Sequence, residues 1–410
     1  MYRRTLLAAA GPFAATLGGT FGILGRAGPA HAETPGVTAT EIKIGQTQAY
    51  SGPASAYGAI GRGLVAYFKR VNDQGGIAGR KINFISVDDG YLPPKTVEQT
   101  RRLVEQEGVS FLLNSLGTPP NSAVQRYLNQ KKVPQLFVSS GAEKWANPKE
   151  FPWTIGWQPS YRTEAQIYAK HILQNKPDGK LAVLYQNDDF GKDYVAGLRD
   201  VLGDKYERMA VKVISYEVTD PTIDSQAVTL QGSGADILVT AATPKFAAQV
   251  IRKIYDLNWK PLHMITNVSA SVGAVITPAG PERAIGLVTA AYVKEVSDPD
   301  WKDDRGMNEW RAFMQEYMAD SDVTDANYPV SYAVGGTAMQ MLKQCDGDFS
   351  RENILKQATN LKDLQLPTLL PGIIVNTSPT NYHPIRQLQL SRWNGTRWER
   401  FGSVIEGAGA

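Results

Sequence analysis

Between residues 41 and 90 the spacing of apolar positions changes twice. Ile42-Lys43-Ile44-Gly45-Gln46 alternates apolar and polar residues, the period of a half-buried strand. After a Ser51-Gly52-Pro53 turn, Ile60, Leu64, Tyr67, Phe68 and Val71 recur at helical spacing, and Asn72, Gly75 and Gly76 stop that helix. Residues 82–87 read as a second strand, ending in Asp88-Asp89-Gly90. Together they predict a β-α-β unit with a polar, aromatic-edged loop at the carboxyl end of its first strand. Open α/β sheets bind ligands at that edge.

The same rhythm continues. Residues 95–106 predict a helix and 109–113 a strand that ends in Asn114-Ser115-Leu116-Gly117-Thr118-Pro119-Pro120. Residues 123–129 start another helix, and 133–138 form a strand running into Ser139-Ser140-Gly141. Asn147-Pro148, Pro152-Trp153 and Trp157-Gln158-Pro159 then break the alternation and read as a crossing to a second α/β series. In that series the strands are 180–185, 211–217, 236–240 and 262–266, with helices near 165–173, 190–202, 225 and 246–257. Residues 286–292 read as a return crossing. Helices over 301–318 and 328–342 follow, and 385–401 alternates like a hairpin about Asn394-Gly395.

Several of these segments carry a resemblance. Tyr50-Ser51-Gly52-Pro53, Tyr57-Gly58, Asn72, Gly75-Gly76-Ile77, Gly79-Arg80-Lys81-Ile82 and Asp88-Asp89 form an ordered series. It resembles the amino-terminal signature of the branched-chain amino-acid (leucine/isoleucine/valine-binding) type of periplasmic solute-binding protein of ABC transporters. Leu184-Tyr185-Gln186-Asn187-Asp188-Asp189-Phe190-Gly191-Lys192 and Asp236-Ile237-Leu238-Val239 are similar to that family's second lobe. The resemblance implies an α/β fold of two doubly wound parallel-sheet lobes joined by three crossing segments, the type I periplasmic-binding fold. On this chain it implies a first lobe of residues 33–155 and 291–370 and a second of 156–290 and 371–405, closing like a flytrap on a ligand.

Composition fits an ordinary globular chain, with 42% hydrophobic and 20% charged residues over 410 positions. The first 32 residues do not. Arg3 and Arg4 form a basic cap, residues 5–24 are apolar and small, and Ala30-His31-Ala32 is an A-x-A cleavage site. That order predicts a secretory signal peptide cut after Ala32 and a periplasmic product, with Sec and twin-arginine routes both open. Cleavage takes away three of the 43 basic residues and none of the 40 acidic ones, leaving the two counts equal. The apparent basicity therefore gives no support to nucleic-acid binding. The single cysteine, Cys345, excludes an internal disulfide, and none stands at the cleavage site to carry a lipid.

No catalytic or metal constellation stands out. The four histidines are scattered without ligand spacing, and Gly58-Ala59-Ile60-Gly61-Arg62-Gly63 does not match a phosphate-binding spacing and reads as close helix packing. Asp88-Asp89 reads as a strand-end turn rather than a catalytic pair. No cofactor and no metal is expected. Tyr50, Tyr57, Phe190 and Tyr328 are either core or cleft walls, since a tyrosine combines a large contact area with a polar tip. By the resemblance, Thr118, Ser139 and Ser140 supply first-lobe donors to a ligand carboxylate, and Asn267 stands about where amino-acid binders place an acid for the ligand ammonium.

The expected function is therefore the solute-binding component of an ABC importer, with permease and ATPase subunits as partners. Because no Asp or Glu lies between Lys260 and Gly280, the expected solute is a small carboxylate without an α-amine, an aromatic acid in particular. Asp188 or Asp189 keeps a branched-chain or other amino acid as the alternative. An exported α/β enzyme and a ligand-sensing domain are the readings of other classes. The first lacks a positioned nucleophile or base, and the second lacks an accompanying membrane, DNA-binding or kinase segment.

Overall fold

The computed structural model describes residues 34–407; the expected signal peptide and cleavage site lie outside them. The first lobe is built on β1 (Glu41–Gln48), α1 (Gly58–Asp73), β2 (Lys81–Asp88), α2 (Pro93–Arg101), β3 (Phe111–Leu113), α3 (Thr118–Gln130), β4 (Gln135–Val138) and β5 (Thr154–Gly156). Its strands are all parallel, in the order β2-β1-β3-β4-β5. β3 and β4 are fully buried and, apart from Gln135, apolar on both faces, because helices cover the sheet on both sides.

The second lobe follows with α4 (Tyr161–Asn175), β6 (Leu181–Gln186), α5 (Asp189–Leu202), β7 (Ala210–Tyr216), α6 (Asp224–Gly232), β8 (Ile237–Ala241), α7 (Pro244–Asp256), β9 (Leu262–Ile265) and β10 (Val288–Ala291). Its parallel part runs β7-β6-β8-β9-β10, the same winding as the first lobe. The chain then adds α8 (Arg305–Tyr317), α9 (Asn327–Gln344) and α10 (Arg351–Ala358) before a hairpin of β11 (Gln387–Trp393) and β12 (Trp398–Arg400). β11 pairs antiparallel with β10, and a last short strand, β13 (Ile405–Glu406), pairs with β11. Asn394 turns the hairpin by accepting the amides of Thr396 and Arg397, both at 2.9 Å.

α9 returns to pack on α1 through an interface of small residues. A Cβ on Gly63 would lie 2.0 Å from Ser331 Oγ, and one on Gly335 would lie 2.5 Å from the Tyr67 ring. This is the close packing expected of the 58–63 segment. Cys345 is buried just past α9, where burial pushes its thiol up to about 12.

Several boundaries differ from the sequence reading. Residues 286–292 are not simply a crossing, because β10 is a buried strand of the second sheet and the chain leaves the sheet only at Tyr292. The 147–159 break contains β5, the edge strand of the first sheet. Thr118 and the two prolines after it open α3 rather than extend a loop, since proline at the start of a helix costs no hydrogen bond. α10 carries no strong periodic signal and was not expected. Residues 373–382 still bond to the 358–364 segment, as in Leu361 N to Thr377 Oγ1 at 2.9 Å and Val375 N to Leu364 O at 2.9 Å.

Candidate functional site

Both sheets share the winding 2-1-3-4-5, so each has one switch point, where the chain leaves neighbouring strands in opposite directions. Ligands bind at the carboxyl ends of the strands there. In the first lobe the switch lies between β1 and β3, followed by Tyr57 and by Leu116-Gly117. In the second it lies between β6 and β8, followed by Phe190 and Thr243. All five residues line one cavity of about 100 Å³ between the lobes. An apolar cavity of about 150 Å³ takes a benzene molecule, so this one is about a third smaller than a benzene site and only a small solute is in question.

The walls are largely apolar, with aromatic rings from both lobes and with Glu295, Asp298 and Arg400 on one side. Tyr57 and Tyr91 come from the first lobe, Tyr161 and Phe190 from the second, and Tyr292 from the end of β10. Phe190 packs on Tyr161 at a ring distance of 4.6 Å and on Tyr194 at 5.7 Å. Ser139, Gln158, Thr243 and Asn267 add polar tips. A charged margin lies toward the β11-β12 hairpin, where Arg400 stacks on Trp301 at 4.3 Å and pairs with Asp300 at 2.8 Å.

Tyr91 holds its place against its own backbone preference. Its φ is 63°, a left-handed conformation uncommon for a bulky residue. Asp89 maintains it, accepting the Tyr91 amide at 2.9 Å while Thr96 Oγ1 binds the other carboxylate oxygen at 2.8 Å. Asp88 does separate work. It accepts from the amides of Tyr50, Ser51 and Gly90, from Ser51 Oγ at 2.6 Å and from Lys95 at 2.9 Å. Burial alone would raise its pKa, but these donors hold the carboxyl well below the usual range. The pair is a strand-end brace, as its sequence suggested.

Of the eight residues singled out in the sequence, Tyr57, Ser139, Phe190 and Asn267 line the cavity. The other four do not. Tyr50 turns its hydroxyl to Ser86 Oγ at 2.6 Å and lays its ring over Gly61. Thr118 Oγ1 and Ser140 Oγ bond each other at 2.7 Å, and Ser140 also accepts from Trp145 Nε1 at 2.9 Å. Both hydroxyls thus face each other inside the first lobe, off the cavity wall. Tyr328 is buried in the α1-α9 contact beside Gly63. Pro119 and Pro120 also strip two amides from the start of α3. Tyr91, Tyr161 and Tyr292 were missed; each stands within a few residues of a strand's carboxyl end or of the lobe crossing, and that position was the available signal.

Neither acid held open as an amine partner is free. Asp188 caps α5 by accepting Gly191 N at 3.2 Å and takes Gln186 Nε2 at 2.6 Å; burial pushes its carboxyl up to about 6. Asp189 pairs with Lys144 at 3.1 Å. A different acid lies behind Asn267. Glu164 of α4 is fully buried and accepts the Asn267 backbone amide at 2.8 Å on Oε1 and the Asn267 side-chain amide on Oε2. Tyr168 Oη lies 2.5 Å from Oε1, and Tyr194 Oη lies 2.6 Å from Oε2. Burial pushes Glu164 up to about 7 against the pull of these bonds.

The lobes meet on both flanks of the cavity. Glu143 N donates to Asp193 at 2.9 Å and Tyr161 N to Gly141 O at 2.8 Å. On the other flank Ser271 Oγ binds Asp325 at 3.0 Å and Gly273 N donates to Thr324 O at 3.1 Å. Gln186 Nε2 reaches Tyr91 Oη across the middle at 3.5 Å.

Comparison with known proteins gives a consistent picture. The profile of a family described as periplasmic binding protein matches residues 41–397. A curated relative, the Leu/Ile/Val-binding protein homolog 1 of Brucella abortus, is 22% identical over 326 residues, covering 76% of this chain and 86% of the relative. Among solved structures, a branched chain amino acid ABC transporter protein from Thermus thermophilus with bound valine superposes with a TM-score of 0.80 at 16% identity, covering 90% of this chain and 97% of the other. A solute binding protein of an ABC transporter from R. palustris in complex with 4-hydroxybenzoate superposes at 0.74, also with 16% identity and the same two coverages.

Proposed function

The chain belongs to the periplasmic binding protein family, and from that premise we propose that it is the solute-binding component of an ABC importer whose ligand is a small carboxylate with a flat or aromatic body. The observation that carries the ligand reading is the cavity wall itself. Tyr57, Tyr91, Tyr161, Phe190 and Tyr292 line it together with the neutral Asn267, and the two carboxylates on its wall are already engaged, Glu295 by Ser297 and Asp298 by Arg397 and Arg400. An unpaired ammonium would be costly to desolvate in such a space. An aromatic body gains stacking and edge contacts with these rings. Ser139 Oγ, which has no partner among the described residues, is the hydroxyl left to meet a carboxylate.

The ligand would be enclosed by contacts to both lobes, since only differential affinity for the closed form shifts a closure equilibrium. The loaded protein would then deliver it to a membrane permease served by an ATPase. An amino acid is the second reading. It is favoured by Glu164, one hydrogen bond behind Asn267, and by the valine and Leu/Ile/Val named for related proteins. Calorimetry against leucine, valine, phenylalanine, benzoate-type and phenylpropenoate-type acids separates the two. Binding of an amine-free acid is expected; binding of leucine or valine alone would replace it with the second reading.

A further inference from the structure

Glu164 belongs to no part of the cavity wall, yet its bond to Tyr168 can be followed proton by proton. Tyr168 Oη has one proton and lies 2.5 Å from Glu164 Oε1 and 2.6 Å from the Ile265 carbonyl oxygen, while it accepts the Ala290 amide at 3.1 Å. If Glu164 were ionised, that single proton would face two acceptors at short range. One contact would be left as oxygen against oxygen with no hydrogen between them. A proton on Oε1 removes the conflict: Oε1 donates to Tyr168, and Tyr168 donates to Ile265 O. Oε2 then carries lone pairs only. It receives the Asn267 side-chain NH₂ and faces the hydroxyl of Tyr194, whose one proton also points to Thr266 Oγ1 at 2.5 Å. Every bond through Tyr168 then has one donor and one acceptor.

From this count we infer that Glu164 is held as the neutral acid and fixes the Asn267 amide so that its carbonyl oxygen is the atom offered to the ligand. Asn267 Oδ1 has no other partner among the described residues, and Asn267 lines the cavity. The second-lobe end of the site is therefore a hydrogen-bond acceptor without net charge. It selects ligands that carry a donor there: a hydroxyl on an aromatic acid, or an amine on an amino acid. Glu164 is a positioning residue that touches no ligand. Burial of its carboxyl agrees with the neutral form. The groups around it are Tyr168 on α4, Tyr194 on α5, Thr266 and Asn267 after β9, and Thr289 and Tyr292 on and after β10; none is a cation.

The inference rests on a ligand occupying this cavity, so its test has one arm that needs no ligand. Infrared difference spectra of the wild type minus Glu164→Gln should show the carbonyl band of an undissociated carboxylic acid on the acid side of neutrality, weakening on the alkaline side. Carboxylate bands alone on the acid side would overturn it; if the variant does not fold, neutron diffraction of the wild type reads the same proton. The second arm compares 4-hydroxybenzoate with 4-methylbenzoate, and valine with 3-methylbutanoate. The donor-bearing member of whichever pair binds should bind about tenfold tighter, as one hydrogen bond allows, and Asn267→Leu should erase the preference. Equal affinity within a binding pair overturns the acceptor assignment. Binding of valine but neither aromatic acid would refute the proposed ligand class while leaving the acceptor in place. No binding by any probe would defeat both.

Discussion

Lys144, following β4 of the first lobe, and Asp189, opening α5 of the second, form an ion pair of 3.1 Å between the lobes, with both side chains partly exposed. Exposed pairs contribute about 0–1 kcal/mol and weaken with salt. Lys144→Ala should therefore weaken ligand affinity by no more than about fivefold, with most of the difference lost at high salt. Small-angle scattering of the ligand-free variant should show a slightly larger radius of gyration than the wild type.

Tyr50 and Tyr57 flank the same loop but serve different ends. Tyr50→Phe removes the bond to Ser86 and should lower stability by about 1 kcal/mol with affinity unchanged. Tyr57→Ala opens the cavity wall and should reduce affinity at least about tenfold, a loss of one aromatic contact's size. Urea denaturation and calorimetry on the same samples separate the two effects.

Gly63→Ala should destabilise the protein although alanine is the better helix former by about 1 kcal/mol. The new methyl would sit 2.0 Å from Ser331 Oγ, and overpacking of this kind costs about 1–3 kcal/mol. Adding Ser331→Gly should return much of the loss, as read from denaturation midpoints.

Stability should fall as pH rises from about 4.5 toward neutrality. Glu164 is raised to about 7, so the folded state binds more protons than the unfolded chain across that interval. Its contribution is complete below the ordinary glutamate value and is lost as pH passes the folded one; the full effect is on the order of 3 kcal/mol. Asp88 acts in the opposite direction. Its lowered carboxyl adds stability that is present above the ordinary aspartate value and disappears in acid. Thermal melting against pH should peak between these limits, and Glu164→Gln should make the alkaline side shallower without removing it, since burial also raises Asp188 to about 6 and Asp193 and Glu295 to about 7.

Mass spectrometry of the periplasmic product should give a chain beginning at Glu33. An intact Met1 on a membrane-bound product would refute cleavage after Ala32.

The alternation of periods made the two α/β series legible, because strands buried on both faces and amphipathic helices leave strong local signals. The site was legible only to the level of its loops. Tyr50 and Tyr57 are seven residues apart in one loop, and nothing local says which ring turns to Gly61 and which to the cavity. Thr118 and Ser140 were read as free hydroxyls because their mutual bond joins residues 22 apart. Glu164 lay beyond reach for the same reason. Its contact with Asn267 spans 103 positions, and a glutamate in a helix normally signals solvent. The four residues of β10 carry no period long enough to distinguish a strand from a crossing.

The antiparallel join of β10 to β11 has a consequence for how the protein comes into being. The hairpin at residues 387–400 lies more than ninety positions downstream of the strand it completes, and its Trp398 and Arg400 close one margin of the cavity. Loop closure over such a distance is slow compared with local helix formation. A chain that has not yet made residues 387–400 thus has neither a finished second sheet nor a closed cavity, so the site is completed only near the end of the described chain.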